Sequence, residues 1–79
     1  MDYIGSASSS QQSASTPYPG SYIRTGSRGE NVRRVQRALG VTADGIFGPD
    51  TRQAVINFQR NNGLGVDGIV GRQTWNRLF

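Results

Sequence analysis

The chain has 79 residues and a formal net charge of +4, and it contains neither cysteine nor histidine. This composition excludes disulfides, thiolate metal sites and histidine-dependent nucleophilic catalysis, and the length allows at most one small domain. All nine basic residues are arginines, which suit contact with an anionic partner but serve equally well to solvate a surface. We expect no metal and no cofactor. We also expect no membrane insertion, because no apolar run approaches the ~20 residues that span a bilayer.

The first 22 residues differ in composition from the rest of the chain. Residues 6–16 read SASSSQQSAST, with no charge and no aliphatic side chain larger than alanine. Such a segment cannot bury enough apolar surface to offset its ordering entropy. We therefore predict a flexible Ser/Gln-rich linker over residues 1–22 and a folded domain over residues 23–79. Tyr22 is close enough to pack on the domain, whereas Tyr3 and Tyr18 are expected to lie outside it.

The first amphipathic segment of the domain runs from about Glu30 to Leu39. Val32 and Val35, together with the last leucine of the segment, have the i, i+3, i+7 spacing of one helical face. Ser27 precedes the first glutamate by three residues, as in a capping box, and that glutamate can pair with the arginines that follow it. Gly40 supplies a stop signal. These features predict a helix.

Two further helices are predicted. The second begins at Pro49, a favoured first helical residue, and ends at the sequence Asn61-Asn62-Gly63. The third, from Arg72 to Phe79, is short and carries Trp75 on its apolar face, where a core position is the more common role. No stretch shows sustained strand alternation. The sequence therefore predicts an all-α fold, a small three-helix bundle.

An internal repeat precedes the second and third helices. Residues 44–51 read DGIFGPDT and residues 67–74 read DGIVGRQT, 23 residues apart. Such a period indicates repeated loop-helix units. In each copy we expect a tight Asp-Gly turn with the glycine at positive φ, an isoleucine in the core, a second glycine leading into the helix, and a threonine in its first turn. The aspartates and glycines are interpreted as turn formers.

A set of short motifs occurs in order along the predicted domain. They are Gly29-Glu30-Asn31-Val32, Val35-Gln36, Leu39-Gly40, Asp44-Gly45-Ile46-Phe47-Gly48, Thr51, Ala54-Val55, Phe58-Gln59, Gly63-Leu64, Asp67-Gly68-Ile69-Val70-Gly71 and Thr74-Trp75. The set resembles the peptidoglycan-binding domain found at the ends of bacterial and phage cell-wall hydrolases, and it covers about residues 23–79. The resemblance implies a three-helix fold, non-catalytic binding of peptidoglycan, and a location outside the cell or in the cell wall.

The resemblance also implies a linked catalytic domain upstream, at the far end of the linker. The first residues lack the basic and apolar stretches of a secretion signal, so export would depend on another part of a larger protein or on another route. We therefore expect the chain to be a fragment or a terminal module.

A site for amino sugars and stem peptides needs amides, cations and an aromatic surface. We predict it in the groove between the first two helices and the DGIFG loop. The candidate ligand-binding residues are Gln36, Arg37, Phe47, Gln59, Asn61 and Asn62. Each glutamine has an alternative role, in which it caps a loop carbonyl inside the fold, and asparagine before glycine is also an ordinary helix terminator.

Two other functions remain open from the sequence. A glycosidase needs two carboxylates flanking a groove, but Asp44 and Asp67 are best interpreted as turn formers, and so short a bundle leaves little depth for a cleft. The alternative to peptidoglycan binding is a basic helical module that interacts with nucleic acid or protein. The first helix carries Arg33, Arg34 and Arg37, although no second basic helix completes a DNA-reading motif.

Overall fold

A computed structural model describes residues 16–79 and contains three helices. They are α1, Glu30–Leu39; α2, Pro49–Asn61; and α3, Arg72–Leu78. Within the described range the only extended pairing is two isolated antiparallel bridges, Ile23 with Val70 and Arg28 with Ile46. The predicted all-α, three-helix architecture is confirmed, and Phe79 caps α3 instead of belonging to it. No helix of residues 16–79 is long and apolar enough to cross a membrane.

The core is small and draws on all three helices and both repeat loops. Its buried apolar side chains are Ile23, Val32, Val35, Phe47, Val55, Val70 and Trp75. Each buried aliphatic side chain of this size contributes about 1.5–3 kcal/mol through the removal of apolar surface from water. The predicted core position of Trp75 is confirmed, since the indole is fully buried.

The start of α1 differs from the predicted capping box. The N-cap is Gly29, which makes no side-chain cap hydrogen bond. The Ser27 hydroxyl instead accepts a hydrogen bond from the Arg24 N–H at 3.0 Å, because the chain turns there before α1 begins. The expected ion pairs are present, and the Arg37 hydrogen bond at 2.9 Å holds the pKa of Glu30 below its ordinary value.

The segment before Ile23 packs on the domain, so the prediction that Tyr18 lies outside it is wrong. The Trp75 Nε1–H donates to the Thr16 carbonyl oxygen at 2.8 Å. The Tyr18 ring meets the indole edge-on, with 6.2 Å between ring centroids. Three short helices leave one side of the indole uncovered, and this N-terminal segment covers it. Residues 1–15, which include Tyr3 and most of the predicted linker, lie outside the described range.

Candidate functional site

Each copy of the repeat is organised around one buried glutamine of the preceding helix. The Gln36 side chain is 1% exposed. Its Nε2 donates to Asp44 Oδ1, to the Ile46 carbonyl and to Thr51 Oγ1, each at 3.0 Å. Its Oε1 accepts the Gly45 N–H at 2.9 Å. One amide therefore closes the loop and joins it to both α1 and the first turn of α2.

The second copy repeats this arrangement 23 residues later. The Gln59 Nε2 donates to Asp67 Oδ1 at 2.9 Å, to the Ile69 carbonyl at 3.0 Å and to Thr74 Oγ1 at 3.1 Å. Its Oε1 accepts the Gly68 N–H at 3.0 Å. The structural unit is therefore longer than the DGIxG motif, because it includes a helix glutamine eight residues upstream of each aspartate.

Three of the predicted ligand-binding side chains are buried inside the fold. The amides of Gln36 and Gln59 are already bonded within the fold and buried, so the alternative role, capping a loop carbonyl, is the one observed. Phe47 is 1% exposed and belongs to the core. None of these side chains presents a free polar group or a ring face to a ligand in this conformation.

The prediction that the isoleucine of each repeat lies in the core is wrong. Ile46 is 48% exposed, and Ile69 is half-buried. The backbone of Ile46 is held on both sides, by the Asp44 carboxylate and by the upstream glutamine. Successive side chains of an extended segment point to opposite sides. The next residue, Phe47 or Val70, therefore points inward. The positive φ of Gly45 and Gly68 is confirmed, at 78° and 73°.

Hydrogen bonds also set the ionisation of the aspartate in the first repeat loop. The Ile46 N–H and the Gln36 amide donate to the Asp44 carboxylate and hold its pKa below the ordinary value for aspartate. Hydrogen bonding to the charged form of a carboxylate favours ionisation. Asp44 is therefore a carboxylate, not a carboxylic acid, throughout the neutral range.

This lowered pKa predicts an acid dependence of stability. The native state prefers the ionised Asp44, so its contribution is present above the unfolded-state pKa, about 4, and is lost as pH falls through the lower native pKa. We expect Asp44→Asn, which keeps an oxygen acceptor, to flatten part of the fall in Tm between about pH 5 and pH 2. The Glu30 ion pairs account for another part. Asp50→Asn controls for the loss of one charge, and parallel profiles for Asp44→Asn and the unmodified protein would contradict the assignment.

A cleft of about 520 Å³ opens beside the first repeat, between the C-terminus of α1 and the N-terminus of α2. It lies where the sequence predicted a groove. Its back wall is Gln36, and its rim includes Thr42, Asp44, Ile46 and Asp50. No arginine lines it. Within residues 16–79 no cluster of three or more acidic, histidine or cysteine side chains could hold a metal ion.

A second hollow, of about 410 Å³, adjoins this cleft, since Val41 lines both. It lies between the second half of α1 and α2, with Asn57 and the exposed Asn61 on its α2 side. The neighbouring Asn62 has a different role, because its Nδ2 donates to the Phe58 carbonyl at 2.9 Å and ends the helix. Asn62 therefore ends the helix, which is the alternative role that the sequence left open for it.

The remaining candidate, Arg37, lies on another side of α1. It is exposed, bonds to Glu30, and lines a hollow with Thr16, Arg34 and Phe79. The six predicted residues therefore do not converge on one site. The rim residues of the cleft, Thr42 and Asp50 among them, were not predicted because they lie outside any apolar periodicity. The exposed Ile46 was missed because the repeat motif assigns isoleucine to the core.

Comparison with known proteins gives the relatives of this chain. Residues 28–78 match the family model described as "Putative peptidoglycan binding domain". The zinc D-Ala-D-Ala carboxypeptidase of Streptomyces albus G is 44% identical over 65 residues, covering 72% of this chain and 26% of that enzyme. The SleB N-terminal domain superposes with a TM-score of 0.74 at 36% identity, covering 77% of this chain and 92% of that one.

A phage protein has the same fold. The endolysin of Burkholderia phage AP3 superposes with a TM-score of 0.71 at 41% identity, covering 73% of this chain and 24% of the endolysin. The chain spans between 22% and 34% of the length of the curated relatives it matches. The family match covers most of residues 16–79, and the chain belongs to the peptidoglycan-binding domain family.

Proposed function

We propose that this chain binds bacterial peptidoglycan without catalysis and holds a linked cell-wall hydrolase on its substrate, outside the cell or in the cell wall. The proposal rests on family membership over residues 28–78. Relatives named as a carboxypeptidase and as amidases support the linkage, because this chain corresponds to a minor part of each. A wall-binding module raises the effective concentration of its linked enzyme without new contacts at the reacting bond.

The binding surface we propose is the cleft beside the first repeat, continued past Val41 by the adjoining hollow. Thr42, Asp50 and Asn61 offer hydroxyl, carboxylate and amide groups to the amides and amines of a stem peptide. Ile46 offers exposed apolar surface for the methyl groups of alanine. A few polar groups around an apolar contact are the usual composition of a ligand site.

The electrostatics of the cleft support a non-catalytic role. Glycoside hydrolysis needs one protonated carboxylic acid with a raised pKa beside a second carboxylate. Asp44 and Asp50 are the carboxylates on this cleft. The hydrogen bonds to Asp44 lower its pKa, which is opposite to the shift that a general acid requires. We therefore expect the purified chain to release no sugars from cell walls.

The test is retention of the purified chain on insoluble peptidoglycan sacculi stripped of teichoic acids. We expect Ile46→Ser to weaken binding about fivefold, which corresponds to loss of about 1 kcal/mol of apolar contact. Val66→Ser is the matched control, because Val66 is 49% exposed, against 48% for Ile46, and lies outside both hollows. Circular dichroism checks that both variants are folded.

The salt dependence of retention and competition by duplex DNA distinguish this function from the alternative, a basic module that binds nucleic acid or protein. Binding through the cleft is expected to persist at high salt, although the Asp50 contact weakens, because apolar and neutral polar groups make the other contacts and no arginine lines that cleft. Contacts made by exposed arginines weaken as ionic strength rises. Retention that vanishes at high salt, or that duplex DNA competes away, would contradict the proposal, as would equal binding by the Ile46 and Val66 variants.

A further inference from the structure

A hollow of about 430 Å³ lies beside the second repeat, where the N-terminal segment meets α3. Tyr18, Tyr22 and Arg72 are its large side chains, and Gly20 and Ser21 complete its lining. Tyr22 is 68% exposed, the most exposed large hydrophobic side chain of the described residues. The hollow therefore combines two phenol rings with one guanidinium group.

The position of Tyr22 is fixed by the backbone next to it. The Ile23 N–H and carbonyl pair with Val70 at 3.1 and 2.8 Å, which ties the N-terminal segment to the second repeat loop. The Tyr22 ring lies against Gly71, whose missing side chain would begin 3.4 Å from the ring Cε1 atom. An exposed ring held this way loses little conformational entropy when a ligand packs on it.

Arg72 is equally constrained and has hydrogen-bond donors to spare. Its guanidinium carbon lies 4.9 Å from the Tyr18 ring centroid, a cation–π contact that orients the group without using its N–H donors. Of the hydrogen bonds and ion pairs in residues 16–79, none uses the Arg72 side chain. A flat cation with free donors, stacked on one phenol ring in a hollow that a second phenol ring also lines, suits a ligand with ring faces and oxygen acceptors.

The two copies of the repeat differ at this point. Arg72 occupies the place in the second copy that Pro49 has in the first, and Gln73 replaces Asp50. The first copy therefore borders an acidic, apolar cleft, and the second borders a basic, aromatic one. Tyr18 and Tyr22 also precede residues 28–78, the part that matches the family model. This hollow is thus built partly from residues that the family model does not cover.

We propose that Tyr18, Tyr22 and Arg72 form a second binding site, which takes the amino-sugar glycan strand of peptidoglycan. A sugar ring packs its C–H face on Tyr22, and the Arg72 guanidinium donates to the acetamido and hydroxyl oxygens of the same strand. The site rests on the proposed function, since it assigns a second part of the same polymer to a second surface. Two weak contacts on one polymer give a higher avidity than either alone.

The probe is a preparation of soluble, peptide-free glycan strands, titrated into the labelled chain and followed by amide NMR shifts. We expect shifts at Gly20, Tyr22 and Arg72 that saturate, with the Ile46 region unaffected. Tyr22→Ala and Arg72→Gln should each weaken this binding about two- to tenfold. Arg77→Gln is the matched charge control, because Arg77 is also an exposed arginine of α3 but lies outside the hollow, and it should bind as the unmodified chain does.

The outcomes separate this site from the proposed function. Normal glycan binding by both Tyr22→Ala and Arg72→Gln overturns the site. A chain that binds sacculi but not peptide-free strands also overturns it, while the proposed function stands. A chain that binds neither overturns both. Loss of glycan binding in Ile46→Ser but not in Tyr22→Ala would move the glycan contact to the first cleft and likewise reject the site.

Discussion

Gln59→Leu is expected to lower the free energy of unfolding by about 3 kcal/mol or more, although leucine has nearly the same size. The substitution leaves the Gly68 N–H, the Ile69 carbonyl and the Thr74 hydroxyl without their common partner. Each buried polar group left unsatisfied costs about 1–3 kcal/mol. In a domain of this length, 1 kcal/mol corresponds to about 4–8 °C in Tm, so thermal unfolding should show a fall well above 10 °C.

The control for this variant lies on the same helix. Gln53→Leu changes the same residue type in α2, but Gln53 is exposed and bonds only to Asn57. We expect a change within about 0.5 kcal/mol. Similar losses for Gln53→Leu and Gln59→Leu would show that the buried amide has no special structural role. Retained stability in Gln59→Leu would also return Gln59 to the set of possible ligand contacts.

Trp75→Ala is expected to unfold most of the chain at 25 °C. Truncating a buried aromatic residue costs about 3–5 kcal/mol, and a core in a chain this short rarely supplies more than that. The indole is fully buried and also contacts Phe79, with 4.4 Å between ring centroids. Loss of the cooperative far-UV circular dichroism transition is the measurement. A cooperative transition within a few degrees of that of the unmodified chain would contradict the expectation.

Trp75→Phe separates the ring from its hydrogen bond. Phenylalanine retains most of the buried surface but cannot donate to the Thr16 carbonyl oxygen. Loss of one such bond costs about 1 kcal/mol, so this variant should remain folded. Its N-terminal segment should be cleaved faster by protease at residues 16–22 than in the unmodified chain. Unchanged cleavage would mean that the other contacts of the segment, the Tyr18 ring and the pairing of Ile23 with Val70, are enough to hold it.

The helices could be predicted from the sequence because apolar spacing and end signals agree at each one. Pro49 starts α2 and Gly40 ends α1 with a positive φ of 77°, as their residue types require. The interior of the loops was harder to predict, since a motif gives residue identity but not side-chain direction. Ile46 and Phe47 are both apolar neighbours, and only the hydrogen bonds that fix the turn decide which of them points inward.

The position of the cleft could be predicted from the sequence, but most of the residues that line it could not. Gln36 lies four residues after Val32, on the same helical face as the core, and this spacing was a signal that it is buried. A second signal was that Gln36 and Gln59 repeat with the same period as the loops. The rim of the cleft gave no such signal, because Thr42 and Asp50 acquire a shared surface only when the loop closes. The contact of Tyr18 with Trp75 spans most of the chain and no local pattern encodes it.

The glutamine-centred units also bear on the order in which the chain folds. Their hydrogen bonds join residues only 8 to 15 positions apart, whereas the bond from Trp75 to Thr16 spans 59 positions. Closing a short loop costs less entropy than closing a long one, and proteins rich in local contacts fold fast. Each loop-helix unit can therefore form early from its own segment of chain. We expect the N-terminal segment to close last, over a core that these units have already assembled.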